Sequence, residues 1–143
     1  MKQINAYLHF AGKCREAMEF YKECLGADLT MQTVGESPMA AQMPDAKNNI
    51  MHATLNKGDK VLLMASDMME ADEANPGNIV SLSVDTESEE ETKTIFSKLA
   101  EGGKIGHALK EEFWGGIYGD LTDKFGINWM FNFQKTPYNP SAK

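Results

Sequence analysis

The sequence has few of the features that identify common enzyme and membrane classes. No apolar run approaches the ~18 residues that a membrane-spanning helix needs, and Met1–Asn5 lacks the apolar core of an export signal. There is no Walker loop, no dinucleotide-binding glycine fingerprint, no nucleophile elbow and no Cys-x-x-Cys pair. We therefore expect a cytoplasmic protein with no membrane partner.

Cysteine is scarce, and the two that occur are predicted to lie on one helix. Cys14 and Cys24 are about ten residues apart, which on a helix of ~1.5 Å rise per residue separates them by ~15 Å. A disulfide requires α-carbons within ~7 Å. Because neither thiol has an evident histidine partner, we expect two free cysteines without a nucleophilic role.

Positive charge is also in deficit. The 143 residues include 14 Lys and Arg against 21 Asp and Glu, for a net charge of −7. This balance disfavours nucleic acid and anionic membranes as partners. Histidine occurs three times, at His9, His52 and His107, and no two share the local spacing of a metal-binding motif.

What the sequence does contain is a pattern of secondary structure that occurs twice. The first half predicts a strand at 4–10, a helix at 14–25 ended by Gly26, and strands at 27–34, 50–56 and 60–65, followed by an acidic connector from Asp67. The second half predicts a strand at 78–84, a helix that begins at Ser88 with a Ser88–Glu91 capping box, a strand at 104–111 and an aromatic hairpin.

The apolar faces of the two predicted helices match at a single offset of 75 positions. The first face comprises Ala17, Phe20, Tyr21, Cys24 and Leu25, and the second comprises Thr92, Ile95, Phe96, Leu99 and Ala100. We therefore predict an α+β fold with two βαβββ modules, at about 1–74 and 75–134, and a tail at 135–143. We expect one domain spanning 1–143, with curved mixed sheets around a cleft and helices on the outer side.

The hairpin supplies the most distinctive residues. Asp123-Lys124-Phe125-Gly126 has turn chemistry, and Trp129, Phe131 and Phe133 alternate onto one face of the last strand. Asp123 is interpreted as a turn former and Trp129 as a core residue. Trp114 and Tyr118 fit either a ligand-binding wall or a core or dimer contact.

Two motifs stand out. Tyr7–Phe10 leads into 17–21 and 25–27, and Phe113-Trp114 is followed by Gly119, 122–126 and Trp129. Through these residues the chain resembles the vicinal oxygen chelate superfamily, which includes glyoxalase I, extradiol dioxygenases and bleomycin-resistance proteins. It is most similar to the PhnB-like branch. The resemblance implies paired βαβββ modules and a homodimer.

The resemblance also implies where a metal ion would sit. Superfamily enzymes carry His or Glu ligands on the first and last strands of each module. The matching places here are Asn5 or Ala6, Met64, Asn78 or Ile79, and Met130. None is a histidine or carboxylate, and thioether is a soft ligand. We predict no metal and no cofactor, although a one-residue shift of strand parity would leave His9 available.

These considerations give a set of candidate ligand-binding residues: Tyr7, His9, Met64, Phe113, Trp114, Tyr118 and Met130. The leading hypothesis is a metal-free protein that binds a small molecule on aromatic and methionine side chains. One alternative is a metal-dependent lyase, isomerase or dioxygenase of the superfamily. Another is a metal-independent enzyme in which His9 acts as a base.

Overall fold

A computed structural model describes residues 1–67, 70, 72 and 74–135 of the protein. The fold is α+β, and the chain divides into two compact units between Asn75 and Pro76. Each unit is one βαβββ module, as the sequence pattern predicts. The predicted tail lies outside the described residues, apart from Lys135.

The described part of the first unit contains one α-helix, four strands and short 3₁₀ helices. The elements are β1 (Tyr7–His9), α1 (Cys14–Leu25), β2 (Asp28–Thr33), β3 (Ile50–Lys57) and β4 (Lys60–Ser66), with 3₁₀ helices at Val34–Glu36 and Pro44–Ala46. The second unit contains β5 (Leu82–Asp85), α2 (Glu89–Ala100), β6 (Lys104–Glu111), β7 (Gly116–Thr122) and β8 (Asn128–Gln134).

The two sheets have the same topology. Their strand orders are β1-β4-β3-β2 and β5-β8-β7-β6. In each sheet the first and last strands of the module pair in parallel, and the other pairs are antiparallel. The repeat that the helix faces predict is therefore confirmed at the level of the strands.

Helix α1 buries one apolar stripe, formed by Cys14, Ala17, Met18, Tyr21 and Cys24. It ends at Gly26, whose φ of 60° is the left-handed conformation that glycine adopts without a steric penalty. Its first turn receives no side-chain cap from Lys13. Instead, the buried carboxylate of Asp67 accepts hydrogen bonds from the backbone N–H groups of Gly12 and Cys14, both at 2.9 Å.

The position of Asp67 corrects a prediction. The sequence places it at the start of an acidic connector, but the side chain is buried and also accepts from the N–H of Ile50 at 2.9 Å. It therefore joins α1, the start of β3 and the end of β4. Residues 68, 69, 71 and 73 of the connector lie outside the described residues.

Helix α2 begins at its predicted N-cap, Ser88, but only one of the two hydrogen bonds of the predicted capping box is formed. The Ser88 hydroxyl accepts from the N–H of Glu91 at 3.0 Å, whereas the Glu91 carboxylate accepts from the N–H of Glu87 rather than from that of Ser88. Thr92, Phe96 and Leu99 form its buried face. The Phe96 ring meets Phe131 edge-on at 5.3 Å, which joins the helix to β8.

The β7–β8 hairpin matches its predicted chemistry. The Oδ1 atom of Asp123 accepts from the N–H groups of Phe125 and Ile127 at 2.8 and 3.1 Å, as expected of a turn former. Trp129 and Phe131 are buried. The turn pattern does not predict the bond from Trp129 Nε1 to Asp123 Oδ2, at 2.8 Å.

The first strand of each unit is shorter than predicted. The sequence pattern starts these strands at residues 4 and 78, but β1 begins at Tyr7 and β5 at Leu82. Ile4 is 88% exposed and Ile79 is 96% exposed. Apolar alternation alone extends both strands beyond the residues that pair in the sheet registers, although the carbonyl of Ala6 still accepts from the N–H of Met64 at 3.0 Å. Within the described residues, no helix is long and apolar enough to span a membrane.

Candidate functional site

Each sheet turns one face toward the helix of its own unit, and the described residues of that unit place no α-helix on the other face. In the first unit the helix-side residues Ala53, Leu55 and Ala65 are fully buried. The alternate positions carry polar, aromatic and thioether side chains. We call the sheet face opposite the helix the open face of that unit.

The first open face is centred on the Tyr7 ring. Tyr7 pairs with Met64 across β1 and β4, and Met64 pairs with Thr54 across β4 and β3. The ring centroid of Tyr7 lies 5.1 Å from that of His9 and 5.8 Å from that of His52. The sequence-predicted residues Tyr7, His9 and Met64 therefore lie together.

His52 joins this group although its sequence context indicates a structural or surface residue. Its Nδ1 atom is 3.3 Å from the hydroxyl of Tyr7, and its Nε2 atom is 3.1 Å from the hydroxyl of Thr54. Tyr7 lies 45 positions away in the chain. Only the β3–β4 and β1–β4 registers bring the two rings together, and a single sequence does not supply those registers.

The second open face carries Tyr118 and Asp120 from β7 and Met130 from β8. Asp120 pairs directly with Met130, and Met130 pairs with Ser83 of β5. Tyr118 and Met130 are both predicted ligand-binding residues. The structure places them on the same face, with Asp120 between them in register.

Asp120 holds a hydrogen-bonded network that sequence reasoning missed. Its Oδ1 atom accepts from the backbone N–H of His107 at 2.9 Å, and its Oδ2 atom lies 2.9 Å from His107 Nδ1. The hydroxyl of Tyr118 donates to the same Oδ2 at 2.8 Å. The register of β6 against β7 shifts on both sides of His107, and the apolar pattern gives no sign of this irregularity.

The ionisation of this network is set by opposing effects. Partial burial, the largest single effect, would raise the pKa of the Asp120 carboxyl, but hydrogen bonds from Tyr118 and His107 together lower that pKa below its usual value. Burial, with the hydrogen bond to Asp120 and its charge, raises the pKa of the Tyr118 phenol. At neutral pH the pair is therefore a carboxylate and a protonated phenol.

Phe113 and Trp114 lie in the β6–β7 connection rather than on the open face. Their rings meet edge-on at 5.1 Å, and Phe113 is 92% exposed. The carbonyl of Trp114 accepts from Gln134 Nε2 at 2.9 Å, which fixes the connection to the end of β8. Gly115 turns the chain with a φ of 86°.

Comparison with known proteins identifies the family. The family model described as 3-demethylubiquinone-9 3-methyltransferase matches residues 2–131. The chain belongs to this family. Protein YjdN of Escherichia coli (strain K12) is 36% identical over 144 residues, covering 92% of this chain and 95% of YjdN.

Solved structures extend the comparison. Protein PA1353 from Pseudomonas aeruginosa has a TM-score of 0.78 and 39% identity, covering 94% of this chain and 98% of that chain. A protein from Bacillus cereus described as a putative 3-demethylubiquinone-9 3-methyltransferase, PhnB protein, has a TM-score of 0.70 and 28% identity, with coverages of 92% and 99%. The PhnB-like resemblance drawn from the sequence is confirmed.

The fold is also that of the glyoxalase superfamily. A glyoxalase/bleomycin resistance protein/dioxygenase family enzyme from Burkholderia phytofirmans PsJN matches with a TM-score of 0.58 and 16% identity, over 90% of this chain and 97% of that chain. At this identity the likeness concerns the fold alone. Whether the chain could hold the metal ion that the superfamily resemblance implies depends on its own side chains.

The residues of this PhnB-like chain do not fit such an ion. Within residues 1–67, 70, 72 and 74–135, no group of three or more His, Cys, Asp or Glu side chains is placed to hold one. Asn5, Ala6, Asn78 and Ile79 precede β1 and β5. The registers instead set Tyr7 beside Met64 and Ser83 beside Met130. The thioethers of Met64 and Met130 are soft ligands and suit a hard divalent cation poorly.

The residues fit a nucleotide-type methyl donor no better. The sequence lacks a glycine-rich nucleotide loop. In the described part of the chain, the strand-to-helix connection before α1 directs its N–H groups to Asp67, and the one before α2 is capped by Ser88. Because the amides of Gly12, Cys14 and Glu91 already have acceptors, these three are not available to cradle an anionic group of such a donor.

Proposed function

We propose that this PhnB-like protein binds a small organic molecule, aromatic or cationic, without a metal ion. The observation that carries the proposal is that both open faces expose aromatic rings and thioethers, with Tyr7, His9 and Met64 on one and Tyr118 and Met130 on the other. Phe113 and Trp114 add aromatic surface from the β6–β7 connection.

Three physical effects support this ligand class. Aromatic rings attract flat rings by offset or edge-on contact and attract cations through their negative faces. Methionine side chains adapt to several ligand shapes and make favourable sulfur–aromatic contacts. The net charge of −7 favours the approach of a cation over that of an anion.

We further propose that residues 1–143 form one glyoxalase-like domain and that the protein is a cytoplasmic homodimer. The family resemblance supports the dimer. Sedimentation equilibrium at micromolar concentration tests it, and we expect twice the chain mass. A mass equal to one chain at every concentration would contradict it.

A thermal-shift screen tests binding. The probes are benzyltrimethylammonium, 4-nitroanisole and phenylphosphonate, which represent an aromatic cation, a neutral aromatic compound and an aromatic anion. We expect at least one to raise Tm in proportion to its occupancy, because a ligand that binds only the folded state stabilises it. Absence of any rise for all three would contradict binding.

Labelled methionine methyl groups then locate the ligand by NMR. We expect the probe that raises Tm to shift the methyl signals of Met64 and Met130. Met18 is the matched internal control, because it is fully buried on the inner face of α1. Movement of Met18 alone, with Met64 and Met130 unchanged, would assign the ligand to another part of the chain.

A further inference from the structure

We propose that His107 and Asp120 form a proton-accepting site on the second open face, that the accepting atom is Nε2 of His107, and that the site takes phenols. The inference rests on the proposed function in one respect, since it assumes that this face receives an aromatic ligand. It adds an acid–base group that the sequence-derived ligand set does not contain.

The geometry fixes which ring nitrogen is free. An ionised carboxylate can only accept hydrogen bonds, so the 2.9 Å contact between His107 Nδ1 and Asp120 Oδ2 requires the proton to be on Nδ1. In the neutral ring, Nε2 then carries the lone pair. The His107 side chain is 77% exposed, so that lone pair is accessible to a ligand.

The backbone is shaped around this pair. Asp120 Oδ1 accepts from the N–H of His107, so the aspartate holds both the main chain and the ring of the same residue. Gly106 directly precedes His107, and a β-carbon at position 106 would collide with Asp120 Oδ1. The irregular β6 register and the glycine therefore serve one contact between adjacent strands.

The neighbours of the pair favour a phenol. Met130 lies directly opposite Asp120 and offers a thioether to an aromatic ring. The Tyr118 hydroxyl donates a hydrogen bond to Asp120 and keeps its proton, so Tyr118 does not act as a second base toward the ligand. Lys110 pairs with Tyr118, and Lys104 pairs with Thr122, so β6 carries a cationic residue on either side of His107.

The chemical step is a single proton transfer. The O–H bond of the phenol breaks, its electron pair stays on oxygen, and a new N–H bond forms at Nε2 of His107. The products are a phenolate and an imidazolium, and the carboxylate of Asp120 stabilises the positive charge. No oxidant, reductant or further reactant is needed.

The test compares 4-nitrophenol with 4-nitroanisole, which has the same ring but no acidic proton. Both are titrated with protein at several pH values from about 6 to 8, the range that spans the change of charge of an ordinary imidazole, and nitrophenolate is measured by its visible absorbance. We expect the wild type to raise the nitrophenolate fraction several-fold over buffer. Asp120→Asn and His107→Gln should abolish the rise.

Asp45→Asn is the matched control, because Asp45 is an exposed aspartate in the Pro44–Ala46 helix of the other unit. It should behave as wild type. Circular dichroism confirms that each variant is folded.

A second readout is independent of any ligand. Nitrogen NMR of the His107 ring should show the Nδ1–H tautomer in wild type, and Asp120→Asn should lose this preference.

The outcomes separate the two proposals. If 4-nitroanisole binds but the nitrophenolate fraction does not rise, or rises equally in both variants, the proton-accepting site is refuted and ligand binding stands. If neither compound binds, aromatic binding fails together with the inference. An Nε2–H tautomer in wild type would overturn the inference by itself.

Discussion

The carboxylate of Asp67 connects three separated parts of the first unit through single hydrogen bonds. It accepts from Gly12, Cys14 and Ile50, all at 2.9 Å, and the bonds from Cys14 and Ile50 are buried. Asp67→Asn replaces one oxygen with an N–H donor that faces at least one of these N–H groups. Because hydrogen bonds to a charged group contribute about 1.5–3 kcal/mol each, we expect a loss of about 2 kcal/mol in the free energy of unfolding.

Urea denaturation measures this change, and Asp28→Asn is the matched control, since Asp28 is an exposed aspartate at the start of β2. The control should leave the midpoint nearly unchanged. Equal midpoints for Asp67→Asn and wild type would show that the three bonds contribute nothing net.

Asp67 and Asp123 show what could be predicted for single residues. Asp123 is predictable as a turn former because its N–H partners lie two and four positions ahead, within a local turn pattern. The partners of Asp67 lie 55, 53 and 17 positions away. The same limit applies to His107 and Asp120, which are 13 positions apart across a strand irregularity.

Cys14 gives a prediction about alkaline pH. Burial raises the pKa of its thiol from 9.0 to about 12, the charge of Asp67 adds to the rise, and Arg15 opposes it. Between pH 9 and 12 the unfolded chain releases this proton and the folded chain keeps it. The stability contribution of the protonated thiol is therefore complete below pH 9 and is lost as the pH rises toward 12.

In Cys14→Ala the loss of stability that comes from this thiol at alkaline pH should be absent. We expect the free energy of unfolding of the variant to fall less steeply with pH than that of wild type, by up to about 1.4 kcal/mol per pH unit between pH 9 and 12. Urea titrations from neutral pH upward measure both slopes. The two curves should run parallel below pH 9, and parallel curves above pH 9 would contradict the prediction.

Among the elements, helix α2 depends on its first turn. The Ser88 hydroxyl accepts from the N–H of Glu91 at 3.0 Å, and three glutamates follow it where the helix dipole favours negative charge. Ser88→Ala should cost about 1 kcal/mol. Ser97→Ala, on the exposed side of the same helix, controls for the change in composition and should change stability by much less.

Chemical denaturation compares the two serine variants. The expected order of midpoints is wild type and Ser97→Ala together, with Ser88→Ala lower. If Ser97→Ala were destabilised as much as Ser88→Ala, the cap would not be the cause.

The elements are unevenly predictable, for physical reasons. Helix α1 and strand β6 have their predicted bounds, because helical periodicity with a glycine stop and a strand after Gly102-Gly103 are local signals. Strands β1 and β5 are shorter than predicted, because their pairing with β4 and β8 begins at Tyr7 and Leu82. A sequence pattern contains no information on that limit.

At the scale of the whole molecule, one βαβββ arrangement is used twice with little sequence identity. The shared features are the strand order and the helix face, whereas the open faces differ: aromatic and imidazole groups on one, and a Tyr–Asp–His network on the other. A common scaffold thus carries two different surfaces. Fold alone does not assign their ligand, which is why the chemistry of the side chains carries the proposal.

The central claim is that this PhnB-like protein binds an organic ligand without a metal ion. The most direct test is the ligand-induced rise in Tm, measured with and without excess EDTA on protein prepared in the absence of chelators. We expect the same rise in both conditions. A rise that disappears with EDTA and returns on adding a stoichiometric divalent metal would contradict the account and favour a metal-dependent member of the superfamily.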